Sequence, residues 1–298
     1  MNESFGPERW AIELSKLLNH VLGPDHFPIN VIEVVREYSA QRFPGDAVTV
    51  VKGENLPDFD GALFRAPAGK VGWGIFYNTA ITSPGRINFT LAHEFGHYLL
   101  HRAAYPDGIR CNSQDVVRWD SEYGQVESQA NRFAANFLMP FDDFRRQIPA
   151  DEKIDLDRIS HCADRYRVSL IAALLRWLGY TNRRAVLVVS RDGYILWSRA
   201  SDAALKSGAY FRTSRGPIEI PAASSAAKQN LLVEARAGIQ HPSGVWLAEE
   251  TREFTIFSEQ YDFVITLLLL SKTVSHPRFD EPDEPDAFDR LAGTDITR

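Results

Sequence analysis

Three residues within five positions, His93, Glu94 and His97, have the types and spacing of a hydrolytic metal site. Residues four apart lie on one face of a helix, so the two histidines can present their imidazoles to a single ion while Glu94 projects beside it. Zinc accepts two such nitrogens, a third protein ligand and a water whose pKa falls toward neutrality. Glu94 can then take the proton of that water as a general base. The spacing therefore predicts a catalytic zinc site of the metallopeptidase type.

The third ligand must come from another part of the chain, and Glu127 is the best candidate because it begins a second helical pattern. Rival donors are Asp120, Glu122 and His101. His101 follows His97 by four residues, too early for the arrangement in which the extra histidine follows by six. We expect it to support the site or to lie at the surface. The alternative for Glu127 is a first-turn acid that only complements the helix dipole.

Two helical patterns position these side chains. Apolar periodicity predicts helices over residues 87–102 and 126–139, with Pro140 ending the second. The polar stretch between them, residues 104–123, is predicted to be a loop, and its length of about twenty residues is typical of a functional one.

The chain before the site carries further regular patterns. Three- and four-residue spacing of apolar side chains predicts helices over residues 9–21 and 29–39. Alternating, β-branched and aromatic residues separated by Gly and Pro then predict three short strands, paired antiparallel, over residues 47–51, 61–65 and 72–78.

After the site the pattern is first helical and then β. Helices over residues 156–166 and 170–178, with Ser169 as a plausible N-cap between them, have the outline of a helix-turn-helix. Residues 191–193 favour a hairpin turn. The stretch 261–272 is either a closing helix or a buried strand. Four further segments are predicted to be strands: 185–190, 194–198, 244–249 and 253–257.

These patterns together predict an α+β protein. We expect a zincin-like helical metallopeptidase domain with a small antiparallel sheet over residues 1–150, and a helix-turn-helix-like segment over 151–183. A β-rich α/β C-terminal domain over 184–275 follows. Residues 276–298 are acidic and offer little that could pack, so a disordered tail is expected there.

Composition excludes several other classes of protein. The chain has 33 basic and 39 acidic residues, a formal charge of −6, so it does not attract polyanions as a whole. Its two cysteines, Cys111 and Cys162, give neither a zinc-knuckle spacing nor a disulfide framework, and this favours a reducing cytoplasm. The N-terminus lacks a secretory signal pattern, and no apolar run approaches the roughly 20 residues of a membrane helix.

Two sequence blocks carry a resemblance to a known family. Residues 86–101 read RINFTLAHEFGHYLLH, and residues 127–140 read ESQANRFAANFLMP. In this order they resemble the ImmA/IrrE family of metallopeptidases, with likeness extending over roughly residues 28–179. One departure is Gln129, since many relatives have a second acid immediately before the Ala-Asn pair.

The resemblance implies a function. Relatives cleave helix-turn-helix transcriptional repressors and so relieve repression of phage, mobile-element or stress-response genes. By position, the implied zinc ligands are His93, His97 and Glu127, with Glu94 as the catalytic acid/base. A GAF-like sensory role for the C-terminal domain is an analogy with longer IrrE-type members.

A different class of function stays open at this point. The helix-turn-helix-like segment and its flanks carry several arginines, among them Arg165 and Arg167, so a DNA-binding or sensory regulator on a zincin scaffold, with weak or no peptidase activity, is the alternative. The acidic chain and the apolar face of residues 170–178, which must pack, favour a structural or substrate-docking role for this segment instead.

Overall fold

The computed structural model of the protein describes residues 5–111, 122–228, 233–258 and 262–271. Its chain forms two compact units. The first contains the described residues up to Phe141 together with Asp164–Ser169, and the second contains Asp142–Ala163 and the described residues from Leu170 onward. The domain boundaries predicted at residues 150, 183 and 275 stay predictions, because compactness alone does not show where independently folding domains begin. The predicted acidic tail lies outside the described residues.

Two helices open the first unit, as predicted. Helix α1 (Pro7–Leu22) begins with a proline at its first position, where the missing N–H costs nothing. Helix α2 (Val31–Arg42) is capped by Asn30, whose side-chain oxygen accepts a hydrogen bond from the Glu33 amide. Each helix buries one apolar face in the core of this unit.

A four-stranded mixed sheet follows, in the order β1-β3-β2-β4. Its strands are β1 (Val48–Glu54), β2 (Gly61–Arg65), β3 (Trp73–Asn78) and β4 (Gly108–Cys111). Strand β2 pairs antiparallel with β3, as predicted, and with β4. The prediction of antiparallel pairing is wrong for β1, which is parallel to β3. Strand β2 is not adjacent to β1 in the sheet. The chain reverses after β2, and β3 lies between β1 and β2.

Strand β4 lies within a stretch predicted to be a loop, and that prediction is wrong for residues 108–111. Their amides pair with β2 although their sequence shows no strand alternation. The partner strand, which is distant in sequence, determines this conformation.

The two helices predicted to carry the site are present. Helix α3 (Pro84–Leu100) begins after Ser83, whose hydroxyl accepts from the Arg86 amide. Helix α4 (Glu122–Leu138) packs along α3. Gly96 makes the close approach possible, because a β-carbon there would lie 2.9 Å from Phe133 Cδ1 and 3.2 Å from Ala130 Cα. Side chains of α3 are buried almost without interruption from Thr90 to Leu99.

Three short helices follow α4 in the chain. Helices α6 and α7 have the bounds predicted for the helix-turn-helix-like segment, whereas α5 was not predicted. Arg167, between α6 and α7, has a positive φ of 50°. The bounds are α5 (Phe141–Gln147), α6 (Leu156–Tyr166) and α7 (Leu170–Leu178).

A five-stranded antiparallel sheet forms the core of the second unit, in the order β6-β5-β9-β8-β7. The predicted turn at Asp192 and Gly193, both with positive φ, joins β5 to β6. Residues 261–272, ambiguous in sequence, contain the buried strand β9. The bounds are β5 (Ala185–Arg191), β6 (Tyr194–Ala200), α8 (Asp202–Lys206), α9 (Ser225–Lys228), α10 (Val233–Ala237), β7 (Ile239–His241), β8 (Thr251–Ser258) and β9 (Phe263–Leu270).

The strand predicted over residues 244–249 is absent from this sheet, so that prediction is wrong. Gly244 has a φ of 91°, and its amide donates to the Leu247 carbonyl, which closes a turn. The side chain of Trp246, which lies in this turn, is buried in the apolar cluster of the second unit. The edge position is taken by β7.

The α+β class is therefore confirmed, with a zincin-like helical unit and a β-rich C-terminal region. Among the described residues, no helix combines the length and the apolar character that crossing a membrane requires.

Candidate metal centre

Three side chains from two helices converge in the first unit. His93 and His97 extend from successive turns of α3, and Glu127 extends from α4. The two Nε2 atoms are 2.9 Å apart. Glu127 Oε2 lies 3.1 Å from His93 Nε2, and Glu127 Oε1 lies 3.3 Å from His97 Nε2. All three residues are buried.

This triangle fits a metal ion. A tetrahedral ion with bonds of about 2.0–2.1 Å requires ligand atoms about 3.3 Å apart, close to the separations of 2.9 to 3.3 Å found here. Two buried imidazole nitrogens pointing at one another repel through their lone pairs unless a cation or a proton lies between them. The His93, His97 and Glu127 group can therefore hold a metal ion.

Charge is unevenly distributed over the three groups. Burial lowers the pKa of His93, but the hydrogen bond and negative charge of Glu127 outweigh that effect and raise it. Burial lowers the pKa of His97 to about 4, and the neighbouring His93 adds to this. Burial alone would raise the pKa of Glu127, yet its hydrogen bonds to both histidines hold it well below its usual range. The carboxylate stays ionised, as a metal ligand must.

The Nδ1 atoms of His93 and His97 also have polar partners. His93 Nδ1 lies 2.9 Å from Asn131 Oδ1 on α4. His97 Nδ1 lies 3.0 Å from His101 Nδ1, and His101 Nε2 lies 3.1 Å from Gln129 Oε1. His101 is buried, so its predicted surface position is wrong, and its supporting role stays a prediction.

Glu94, the predicted base, lies on α3 directly between the two histidines in sequence and is fully buried. Its carboxylate contacts strand β2 at Gly61, where the absence of a side chain leaves room for it. Its negative charge acts on His93. The Glu94 carboxylate is thus close enough to His93 for its charge to raise the pKa of that histidine.

The comparison with known families decides the identity of this region. Residues 47–178 match the Peptidase_M78 family, described as the IrrE N-terminal-like domain. Residues 47–178 are an IrrE N-terminal-like domain. This match confirms, for residues 47–178, the ImmA/IrrE family predicted from the two sequence blocks. A comparison with curated proteins finds none that matches the chain.

The IrrE N-terminal-like domain extends from just before β1 to the end of α7. It therefore contains His93, Glu94, His97 and Glu127, and also both helices of the helix-turn-helix-like segment. A peptidase family together with a buried His-His-Glu group makes this a domain of the metallopeptidase type.

Of the three rival ligands, His101 is the one whose side chain the structure describes. The side chains of Asp120 and Glu122 lie outside the described residues. The hydroxyl group of Tyr98, on α3, donates a hydrogen bond to the Asp46 backbone carbonyl at 2.9 Å. Tyr105 packs against Ile109 and Val126.

Sequence reasoning missed three residues of this domain that contact His93, His101 or Glu94. Asn131 follows Glu127 by four residues and so lies on the same face of α4, a signal that was present in the sequence. Gln129 was noted only as a departure from relatives. Gly61 had no local signal, because its contact with Glu94 joins positions 33 residues apart.

Proposed function

We propose that the protein is a zinc-dependent, site-specific endopeptidase that acts in the cytoplasm on a regulatory protein. The substrate class is a helix-turn-helix transcriptional repressor, whose cleavage relieves repression of mobile-element or stress genes. The observation that carries the enzymatic part is the convergence of His93, His97 and Glu127 with Glu94 beside them on α3. The substrate class rests on the resemblance to ImmA/IrrE peptidases.

The donor set favours zinc. Two imidazole nitrogens and one carboxylate are the ligands of many catalytic zinc sites, which keep a fourth position open. Zinc, when bound, supplies Lewis-acid activation of the attacking water and of the scissile carbonyl. His93, His97 and Glu127 would hold it through Nε2, Nε2 and the carboxylate.

Glu94 performs the proton transfers in this mechanism. Its carboxylate accepts a proton from the water as the water oxygen bonds to the scissile carbon. As the carbon–nitrogen bond breaks, Glu94 gives that proton to the departing amine. The acid product and the amine product together contain all the atoms of the peptide and the water. Burial of Glu94 excludes bulk water and strengthens its interaction with the reacting groups.

The arrangement of the arginines counts against the DNA-binding alternative. Arg158 is paired with Glu152 at 2.7 Å. Arg184 donates to both oxygens of Glu249 and to the Ser271 carbonyl, and its side chain is buried. Cations committed to carboxylates are poor candidates for phosphate contacts. A mobility-shift assay comparing the wild type with an Arg165→Ala/Arg167→Ala variant tests this, since arginine-dependent, sequence-specific binding would support the alternative.

For the C-terminal region, residues 184–275, we propose a sensory or substrate-binding role. Its support is a five-stranded antiparallel sheet with short helices, an architecture like that of GAF-type sensory domains by analogy only.

The decisive experiment co-expresses the chain with the repressor encoded beside it. Wild-type protein is expected to cleave the repressor, and Glu94→Gln is expected to retain zinc while cleaving at least about 10²-fold more slowly, because the proton acceptor is lost. Glu13→Gln is the matched control, since Glu13 lies exposed on α1 and pairs with Lys16. Cleavage that persists in Glu94→Gln would exclude this mechanism.

Metal analysis tests the ligand set separately. Glu127→Ala is expected to lose zinc because one of three ligands is removed. Retention of zinc at wild-type stoichiometry and affinity would show that another residue is the third ligand.

A further inference from the structure

A second row of polar contacts lies behind His97. Its Nδ1 atom faces His101 Nδ1 at 3.0 Å, and the far nitrogen of His101, Nε2, faces Gln129 Oε1 at 3.1 Å. His101 continues the same face of the chain one turn beyond His97, and Gln129 lies on α4 two residues after Glu127. The row therefore joins the same two helices that supply the metal ligands.

The positions of the protons along this row follow from valence. To bind a metal through Nε2, a neutral His97 must carry its proton on Nδ1. That proton needs an acceptor, so His101 must present a lone pair at Nδ1. A neutral His101 then carries its own proton on Nε2, where the carbonyl oxygen of Gln129 accepts it. Each nitrogen of the row therefore either donates or accepts one hydrogen bond. The last donor, His101 Nε2, faces the Gln129 carbonyl oxygen, which can accept.

The reverse arrangement is incompatible with metal binding. If the Gln129 amide donated to His101 Nε2, then His101 Nδ1 would carry a proton and donate it to His97 Nδ1. His97 would then hold its proton on Nε2, the atom that faces Glu127 and His93. A protonated Nε2 cannot coordinate an ion.

We propose that Gln129 and His101 form a relay that fixes the tautomer and orientation of His97 for metal binding. Both are positioning residues, and the inference rests on the proposed metal site. Asn131 serves His93 in the same way through a separate contact, so the two histidines are held independently.

Burial makes a purely space-filling role for His101 unfavourable. The residue is 6% exposed, and its two ring nitrogens each have a partner. An apolar side chain of similar size would fill this space without requiring hydrogen bonds. Such a side chain would, however, leave His97 Nδ1–H without an acceptor in a buried position.

The test measures zinc affinity by competition with a chromophoric chelator. His101→Leu is expected to bind zinc about 10–100-fold more weakly than wild type, the usual cost of removing an outer partner of a metal-bound histidine. His101→Asn is expected to stay near wild-type affinity, because its Oδ1 can occupy the place of Nδ1 and accept from His97. A space-filling role predicts the opposite order.

Two double variants test the connectivity. Gln129→Met is expected to weaken zinc binding less than His101→Leu, and the combined variant is expected to be no weaker than His101→Leu alone, because Gln129 acts only through His101. His101→Leu combined with Asn131→Leu is expected to show additive losses, because these residues act on different ligands.

A spectroscopic readout detects the tautomer directly. Long-range nitrogen–proton correlation spectra of the zinc-loaded protein are expected to show His101 protonated on Nε2 and unprotonated on Nδ1. The opposite tautomer overturns the relay.

The outcomes separate the two proposals. Equal zinc affinity in wild type and His101→Leu, or equal losses in His101→Leu and His101→Asn, overturns the relay and leaves the peptidase proposal intact. Failure of the wild type to bind zinc overturns both. Should His101→Leu not fold, Gln129→Met at its half-buried position carries the test, and unchanged affinity there overturns the relay.

Discussion

A β-carbon on Gly61 would lie 2.6 Å from Glu94 Oε1, and the same distance from Thr90 Cγ2. Strand β2 therefore packs directly against the face of α3 that carries the proposed base. Only glycine allows this separation, because contacts below 3.0 Å force one of the two groups to move. The absence of a side chain at Gly61 therefore leaves the space that the carboxylate of Glu94 occupies.

Substituting Gly61 by alanine is expected to displace Glu94 while leaving the metal ligands in place. Peptide cleavage should fall about 10²-fold, the usual cost of misplacing a catalytic group by about 1 Å. Zinc content should stay at the wild-type level, so the measurement pairs cleavage rate with metal analysis. Gly45→Ala is the control, since a β-carbon there meets nothing within 4 Å. Full activity of Gly61→Ala would contradict the assigned place of Glu94.

The contact between α3 and α4 at Gly96 supports a second prediction. Gly96→Ala places a methyl group 2.9 Å from Phe133 Cδ1 and close to the backbone of Ala130. Overpacking should cost about 1–3 kcal/mol, and alanine's higher helix propensity offsets about 1 kcal/mol of this. A net loss of up to about 2 kcal/mol in the free energy of unfolding is therefore expected.

Urea denaturation measures that loss, again with Gly45→Ala as the control. Zinc affinity should fall as well, because α3 and α4 supply separate ligands and their separation changes. An Ala variant as stable as wild type would show that the helices can move apart without cost.

Metal binding is expected to weaken as the pH falls. Glu127 raises the pKa of His93 above its ordinary value despite burial, so below that raised pKa a proton occupies the ligand and competes with zinc. The apparent affinity should drop about tenfold for each pH unit below it and level off above it. His97, with a pKa of about 4, joins the competition only near that pH. The Glu127 carboxylate stays ionised throughout.

Chelator competition between pH 5 and 8, corrected for protonation of the chelator, measures this profile. Glu127→Gln removes the charge that raises the pKa of His93, so its profile should shift to lower pH in addition to its weaker binding. An affinity that does not change over this range would contradict the assignment of His93.

The second unit contains a buried carboxylate whose loss should be costly. Glu253 is fully buried on β8, and its two oxygens accept hydrogen bonds from four donors. The four donors are the Ser225 amide at 3.1 Å, the Ala226 amide at 2.9 Å, Trp246 Nε1 at 2.9 Å and Thr255 Oγ1 at 2.8 Å. His241 Nε2 also lies 2.7 Å from Glu253 Oε2.

Replacing Glu253 by leucine leaves these donors buried without an acceptor. The free energy of unfolding should fall by about 3–5 kcal/mol, as when one partner of a buried ionic group is removed. Urea denaturation followed by tryptophan fluorescence measures it. Glu250→Leu, at an exposed neighbouring position, should change stability by no more than about 0.5 kcal/mol. Equal stability of the two variants would refute this role of Glu253.

Helices could be predicted well because their signal is local. The apolar periodicity that predicted α6 and α7 placed their bounds correctly, since each turn repeats the same burial within a few residues. Strands were less predictable. The strand predicted over residues 244–249 was wrong. These residues form a turn, and Trp246 is aromatic because its side chain is buried in the core, not because the backbone pairs with a strand.

The sequence by itself determined the chemical groups of the site and the helices that carry them. His93, Glu94 and His97 are joined by one helical turn, and helical geometry dictates how they project. Glu127 could be proposed because it lies in the next helical pattern of the sequence.

Only the tertiary structure decided which distant atoms meet these groups. Glu127 approaches the histidines because Gly96 lets α4 lie close to α3, and Glu94 stands where Gly61 of β2 leaves space. His101 and Gln129 line up behind His97 for the same reason. Such contacts depend on packing between elements far apart in the chain, so a local sequence pattern cannot predict them.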